Sequence, residues 1–315
     1  MVTIVAVTAG CSDGTAPNPP ASSVSTESAP IPQSATAATP APTSGAGLAA
    51  EFQQFADMNV GVVLMPVGDT AAPAVSLGTW TDGPAWSTIK VPLSIAALRE
   101  SQSTTPTADM RAAITRSDNA AAEAIWSSLG TPEEAKAKVE AVLKAAGSPT
   151  TVQSQKVRPE FTAFGQTIWS LTDQARFLSS AACDAADQPI FDLMSQVEGD
   201  QQWGLGTFEN AKIKGGWGPS VEGPYLVRQI GVITTPKGET AVAIAAAPGS
   251  GSFGEGTKVL DQLAAWLKEH VDELPAGQCP GGSASTEGGS TVESPTATVD
   301  APSPSGSIPA VSPSP

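Results

Sequence analysis

Trp86-Ser87-Thr88-Ile89-Lys90-Val91-Pro92-Leu93-Ser94-Ile95-Ala96-Ala97-Leu98 is the stretch from which the rest of the chain can be read. Its residues are apolar on nearly every side of a helical period, the mark of a helix buried in a core. The only chemistry lies in its first turn. Ser87 and Lys90 are three residues apart, which on a helix puts them on one face within hydrogen-bond reach, with Ser87 where unpaired amides collect. A lysine at the rim of an apolar helix loses hydration, its pKa falls, and the neutral amine can take a proton from a serine hydroxyl. The pair reads as a nucleophile beside its base.

Outward from this turn, composition divides the chain. Residues 12–46 and 280–315 are rich in Ser, Thr, Pro, Ala and Gly and have almost no large apolar side chains, so they cannot bury enough surface to offset ordering. They read as a disordered tether and a disordered tail. All seven tryptophans fall between Trp80 and Trp266, and residues 47–279 have the size of one domain with a full core. A net charge of −15, with no gathering of Lys and Arg into a patch, excludes a nucleic-acid partner.

The run Val5-Ala6-Val7-Thr8-Ala9-Gly10-Cys11 is similar to the end of a bacterial lipoprotein signal, with residues 1–11 as its remnant and Cys11 as the acylated residue. The alternative is a shortened ordinary signal or a chance Ala-Gly-Cys. No Lys or Arg precedes the run, so the true start is expected upstream, or the chain has been trimmed. Lipidation would place the protein outside the cytoplasm, anchored to the cell membrane by a tether reaching roughly 30 Å. Cys183 and Cys279 then remain as an even pair where thiols oxidise. A disulfide between them would contribute about 4 to 5 kcal/mol through loop closure, the alternative being two free thiols.

The periodicity predicts a short helix over 48–58, then strands over 60–67 and 74–80, and a turn at 81–84 that delivers the chain into the Ser87 helix. Helices follow over 107–116, 120–129 and 131–146, the last with Thr131 as cap and Pro132 behind it. Residues 148–166 lack periodicity and read as a surface loop. Helices are expected over 171–183, with Thr172 rather than Ser170 as cap, and over 189–197. After Trp203-Gly204-Leu205-Gly206 the pattern turns to strands over 212–217, 225–235 and 240–247, and an amphipathic helix over 258–271 closes the domain. Strands from both ends and helices from the middle imply an α+β fold, one antiparallel sheet beside a helical cluster.

Ser87-Thr88-Ile89-Lys90, Ser117-Asp118-Asn119 and Lys214-Gly215-Gly216 stand in the order of the three motifs of penicillin-recognising serine hydrolases. Together with Met110-Arg111-Ala112-Ala113-Ile114-Thr115-Arg116 and Ala120-Ala121-Ala122 around the second motif, they resemble class A β-lactamases and their relatives over most of residues 47–271. The resemblance implies a β-lactamase/transpeptidase-like α+β fold, with an antiparallel sheet packed by N- and C-terminal helices and an all-helical half. It also implies roles: Ser87 as nucleophile, Lys90 as base, and Ser117 as relay to the leaving nitrogen. Asn119 would bind the substrate amide or steady Lys90, and Lys214 would supply charge that lowers the Lys90 pKa and attracts a carboxylate. The amides of Ser87 and Trp217 would form the oxyanion hole, and Gly215 and Gly216 would let the substrate backbone lie against the strand.

Three departures qualify the resemblance. Residues 148–166 offer only Glu160-Phe161-Thr162-Ala163-Phe164 where class A enzymes carry Glu-x-x-Leu-Asn, so Glu160 as deacylating base competes with Glu160 as a solvated carboxylate. Gly215 replaces a hydroxyl residue, and Ser87 and Ser117 stand closer in sequence than is usual, which implies a reduced cleft wall. Acylation chemistry survives these changes better than fast hydrolysis does. His270, in the charged end of the closing helix, gives a Ser-His-Asp triad little support. No His, Cys and carboxylate grouping has metal-ligand spacing, and no glycine-rich phosphate loop follows a strand, so neither metal nor cofactor is expected. The expectation is a monomeric serine acyl-enzyme hydrolase with slow deacylation, acting on a cell-wall peptide, a β-lactam or a related amide or ester. The alternative is a surface lipoprotein that keeps the fold to bind a ligand and turns nothing over.

Overall fold

The computed structural model describes residues 44–220 and 224–281. Cys11 and nearly all of the tether lie outside the described residues, as does the chain from 282 onward. The tether was expected to run to 46, but helix α1 (Ser44–Glu51) begins inside that span and passes into a 3-10 turn at Phe52–Phe55. Both phenylalanines are buried, which explains why the chain orders here: their rings pack within 5.1 and 6.3 Å of Trp266. Aromatic pairs of this geometry contribute about 0.5 to 1.5 kcal/mol each beyond their area.

Five strands, β1 (Val60–Pro66), β2 (Val75–Gly78), β3 (Lys212–Pro219), β4 (Tyr225–Thr235) and β5 (Gly238–Ala246), form one antiparallel sheet in the order β2-β1-β5-β4-β3. β1 pairs with β5 in the register Val62 to Ile244 and Leu64 to Val242, so the N-terminal hairpin is bonded onto the C-terminal strands. All seven residues of β1 are buried because the sheet is covered on both faces. Side chains alternate between them. Val60, Val62, Leu64, Val242 and Ile244 meet Phe52, Leu263 and Trp266, while Val63, Met65, Ala243 and Ile230 meet the helical half.

Helix α8 (Phe253–Glu269) starts five residues before the expected 258, capped by Ser252 Oγ accepting from Glu255 N. Gly254 and Gly256 in its first turn hide the apolar period, and Gly256 is needed for packing, since a Cβ there would lie 2.3 Å from Val227. The helical half comprises α2 (Lys90–Glu100), α3 (Ala108–Thr115), α4 (Asn119–Ser128), α5 (Pro132–Ala145), α6 (Leu171–Ala181) and α7 (Gln188–Met194). Thr131 and Glu134 form a full capping box at α5. At α6 the expected cap is corrected. Ser170, with extended backbone, accepts from Asp173 N and donates to Asp173 Oδ2, while Thr172 already lies within the helix. Helix α7 stops at Met194, short of the expected 197.

Cys183, just past α6, and Cys279 are joined by a disulfide, with Cα atoms 5.2 Å apart at a sequence separation of 96. The bridge ties the chain after β5 to the helical half. Among the described residues, no helix is long and apolar enough to cross a membrane.

Candidate active site

The expected helix around Ser87 divides in two. Its first turn, Trp86–Ile89, is 3-10, and α2 proper begins at Lys90, whose amide donates to the carbonyl of Ser87. In a 3-10 turn, residues i and i+3 eclipse one another, so Ser87 and Lys90 share an edge more closely than on an α-helix. Trp86, the residue before the nucleophile, has φ of +49°, a left-handed conformation that bulky residues avoid. Its ring is trapped against Phe161 at 4.9 Å and over Gly218, where a Cβ would meet it at 2.5 Å. Ser87 is thereby turned, half-buried, into a cleft of about 410 Å³. No carbonyl among the described residues accepts the Ser87 amide.

The sequence reading passed over the group that holds this turn from below. Arg228 on β4 is completely buried, and its Nη1 donates to the carbonyls of Gly83 at 3.0 Å and Pro84 at 2.9 Å, its Nη2 to the carbonyl of Trp169 and to Gln174 Oε1. Gln174 Nε2 donates in turn to Thr88 Oγ1, which donates to the Ala85 carbonyl. Burial lowers the Arg228 pKa to about 9. The signal was present in the sequence: an arginine in the middle of a mostly apolar strand cannot be buried without several acceptors.

The second wall is the break between α3 and α4. Ser117 has φ of +58°, and Asp118 caps α4 by accepting from Ala121 N, which places Asn119 in the first turn. Lys90, one per cent exposed, donates from Nζ to the Ser117 carbonyl at 2.6 Å, Asn119 Oδ1 at 2.8 Å and Ser117 Oγ at 3.5 Å. Of the two roles expected for Asn119, steadying Lys90 is the one this geometry supports. Among the described residues no side-chain hydrogen bond joins Lys90 Nζ to Ser87 Oγ, so the expected contact is not made here, although catalytic hydrogen bonds often tighten only with substrate. Desolvation pulls the Lys90 pKa down to about 7, against a smaller opposing pull from Asp118. Hydrogen bonds from the Ala121 and Ala120 amides hold the Asp118 carboxyl below its usual range.

The third wall is β3, one of the two edge strands of the sheet. Lys214 is wholly buried and donates to Ser117 Oγ at 2.8 Å and the Gly215 carbonyl at 3.0 Å. Burial drives its pKa far down, with the nearby Lys90 charge adding to the effect. The Lys214 amine is engaged with Ser117 Oγ and the Gly215 carbonyl, which ties it to the second motif. The role of the glycines changes. A Cβ on Gly216 would lie 2.9 Å from the Ala85 carbonyl and 3.0 Å from Ser87 N, so Gly216 lets β3 approach the nucleophile turn rather than the substrate. A Cβ on Gly215 would strike the Trp203 ring at 2.8 Å. Trp217 lines the cleft, and its ring packs with Trp203 and Phe253.

Glu160 also lines the cleft, but its side chain is 59% exposed and paired with Arg158 at 3.5 Å. His270 packs against Trp266 at 4.6 Å, between Glu51 and Glu273, on the far side of the sheet from Ser87. It is more enclosed than the expected charged helix end, because α1 covers it. Among the described residues, no group of three His, Cys, Asp or Glu side chains could hold a metal.

No family model matches the sequence, and no curated protein does. Solved structures do. The chain is similar to the TLA-3 extended-spectrum β-lactamase, with a TM-score of 0.59 at 14% identity, covering 72% of this chain and 98% of that one. A β-lactamase from Streptosporangium roseum aligns with a TM-score of 0.54 at 15% identity over 73% and 99% of the two chains. An ancestral class A enzyme, GNCA, aligns with a TM-score of 0.54 at 18% identity over 72% and 99%. With the antiparallel sheet and helical half described above, these likenesses establish that the chain has the class A β-lactamase fold.

Proposed function

We propose that this protein is a serine acyl-enzyme hydrolase of the penicillin-recognising kind, acting on a cell-wall peptide, a β-lactam or a related amide or ester, with slow deacylation. The observation that carries the reading is the chain of hydrogen bonds from Lys90 through Ser117 Oγ to Lys214, buried directly behind the Ser87 cleft. A ligand-binding surface has no physical need for two desolvated amines converging on one hydroxyl.

The chemistry follows from those partners. Ser87 Oγ attacks the substrate carbonyl carbon and its proton passes to the neutral Lys90 amine. Ser117 Oγ accepts from both lysines, so its own proton remains free to be donated to the leaving nitrogen or oxygen, and Lys90 restores it. The acyl group stays on Ser87 Oγ, while the amides of Ser87 and Trp217 face the developing oxyanion. Deacylation needs a base that aims a water at that ester. Glu160, exposed and paired with Arg158, is poorly suited to the task, and the acyl-enzyme should accumulate.

The protein is placed, on this reading, outside the cytoplasm on a lipid anchor at Cys11, working as a monomer. Detergent-phase partitioning that is identical in Cys11→Ala would refute the anchor. The engagement of Lys90 with Ser117 and Asn119 rather than Ser87 favours one competing reading, a non-catalytic binding lipoprotein. Incubation with a fluorescent penicillin decides between them. A covalent label found on Ser87 by intact-mass and peptide analysis, and lost in Ser87→Ala, supports the acyl-enzyme. Ligand binding unchanged in Ser87→Ala, with no adduct on the parent protein, supports the binding protein.

A further inference from the structure

The segment 148–166 brings more to the cleft than Glu160. It is held from within by buried Gln166, whose side-chain amide donates to the carbonyls of Arg158 at 3.1 Å and Thr162 at 3.2 Å and accepts from Arg158 N at 2.8 Å. These bonds fix the backbone from which the Arg158 side chain leaves. That side chain reaches two other elements. Its Nη1 donates to the carbonyl of Pro219, the last residue of β3, at 2.6 Å, and its guanidinium lies 4.3 Å from the Phe161 ring and 5.9 Å from the Trp86 ring. With the side chain 21% exposed, this short charge-assisted bond outweighs the 3.5 Å contact with Glu160, whose carboxylate is mostly in solvent.

Both of the elements reached carry groups of the acylation step. Trp86 precedes Ser87, and its φ of +49° persists only where neighbours impose it. Phe161, beneath the Arg158 guanidinium, is one of those neighbours, with its ring 4.9 Å from the indole, and Gly218 is another, leaving the room that a Cβ would take. Pro219 stands two residues beyond Trp217, so the backbone groups of the two face the same edge of β3. The Pro219 carbonyl is turned to Arg158, which marks that edge as the open one, and the Trp217 amide lies along it. Arg158 therefore spans the two backbones that carry the amides of Ser87 and Trp217.

We propose that Arg158 is a positioning residue for acylation: by joining the segment 148–166, the Trp86 ring and the end of β3, it sets the separation of the Ser87 and Trp217 amides that receive the oxyanion. This rests on the acyl-enzyme reading and assigns Arg158 a role through backbone geometry, without contact with the reacting atoms. The loss on removing it falls on the rate, because the two amides matter most once the carbonyl oxygen carries charge. Lysine is only a partial substitute, since an ammonium can reach the carbonyl but lacks the plane that lies on the Phe161 ring.

Arg158→Ala and Arg158→Lys test this in the full-length protein, with a fluorescent penicillin in stopped flow. The dependence of the adduct rate on penicillin concentration separates the maximal acylation rate from the affinity of the complex that precedes it. In Arg158→Ala the maximal rate should fall about 10²-fold while that affinity changes less than about threefold. In Arg158→Lys the fall should be about tenfold. Phenylboronic acid, which forms a reversible tetrahedral adduct on a serine oxygen, gives a second readout, and its affinity should weaken in step with the rate. A lowered melting temperature with both readouts unchanged would make Arg158 merely structural and overturn the inference. A loss confined to penicillin affinity would overturn it too, by making Arg158 a substrate-binding residue. Should Arg158→Ala fail to fold, Arg158→Lys decides by the same two readouts. In all these outcomes the parent protein still forms the Ser87 adduct and the acyl-enzyme reading stands, whereas a parent protein that forms none overturns that reading and this inference with it.

Discussion

The hydroxyl of Ser117 and the carboxylate of Glu160 both border the Ser87 region, yet they sit in opposite physical environments. Ser117 Oγ is held by Lys214 and Lys90, two amines that are at most one per cent exposed and whose pKa values are lowered by desolvation. Glu160 stands on the irregular segment 148–166, mostly in solvent, beside a cation at 3.5 Å. Proton transfer is efficient where the donor and acceptor are fixed and water is excluded, and weak where a side chain is free to move in high dielectric. On the proposed acyl-enzyme reading, the groups for acylation are fixed and dry, and the carboxylate proposed for deacylation is not. The lesson is that a fold alone does not decide turnover, because the two half-reactions use groups on different elements.

The contrast breaks first at Lys90. Lys90→Met keeps the buried volume and removes the base, so the rate of adduct formation should fall about 10²- to 10⁴-fold in stopped-flow measurements. An unchanged rate would place the base elsewhere. Gly216→Ala comes next. It pushes β3 from the Ser87 turn by inserting a Cβ at 2.9 Å from the Ala85 carbonyl, and a shift of that kind should slow acylation about 10²-fold with a smaller effect on ligand affinity. A loss confined to affinity would assign Gly216 to substrate binding.

The pH profile sharpens the same comparison. Only the neutral Lys90 amine can accept the serine proton, so the acylation rate should rise with pH and level off above about 7, falling about tenfold per unit below it. Stability follows the same sign. The unfolded chain holds the lysine proton up to its ordinary value of 10.5, whereas the folded chain releases it near 7, so between those limits the unfolded state binds more protons and stability climbs with pH. Thermal melts of Lys90→Met should show a flatter rise over that window. The smallest expected effect is at the other pole: Glu160→Gln should leave the decay of the acyl-enzyme unchanged. If its decay collapses from a rapid steady rate, Glu160 is a working base and the enzyme is an efficient hydrolase.

Several elements were legible for local reasons. The apolar runs of β1, β4 and β5 and the cap at Thr131 are written in neighbouring residues, and the structure keeps them. The start of α8 was hidden because Gly254 and Gly256 answer to packing against Val227 rather than to helix propensity. The cap of α6 was misread because Ser170 and Thr172 offer the same chemistry, and only the backbone angles choose between them.

For the site, the sequence by itself determined which groups exist and in what order: Ser87 with Lys90 one turn on, Ser117 and Asn119 at a helix break, Lys214 on a strand, and two cysteines able to pair. Those are properties of spacing. What only the tertiary structure decided is where each amine points and how dry it is. Lys214 turned out to bond Ser117 Oγ, Gly216 to make room for the nucleophile turn, and Arg228 to hold that turn from beneath. Each of these depends on contacts between residues far apart in the chain, where desolvation and close packing act only once the sheet and the helical half have come together.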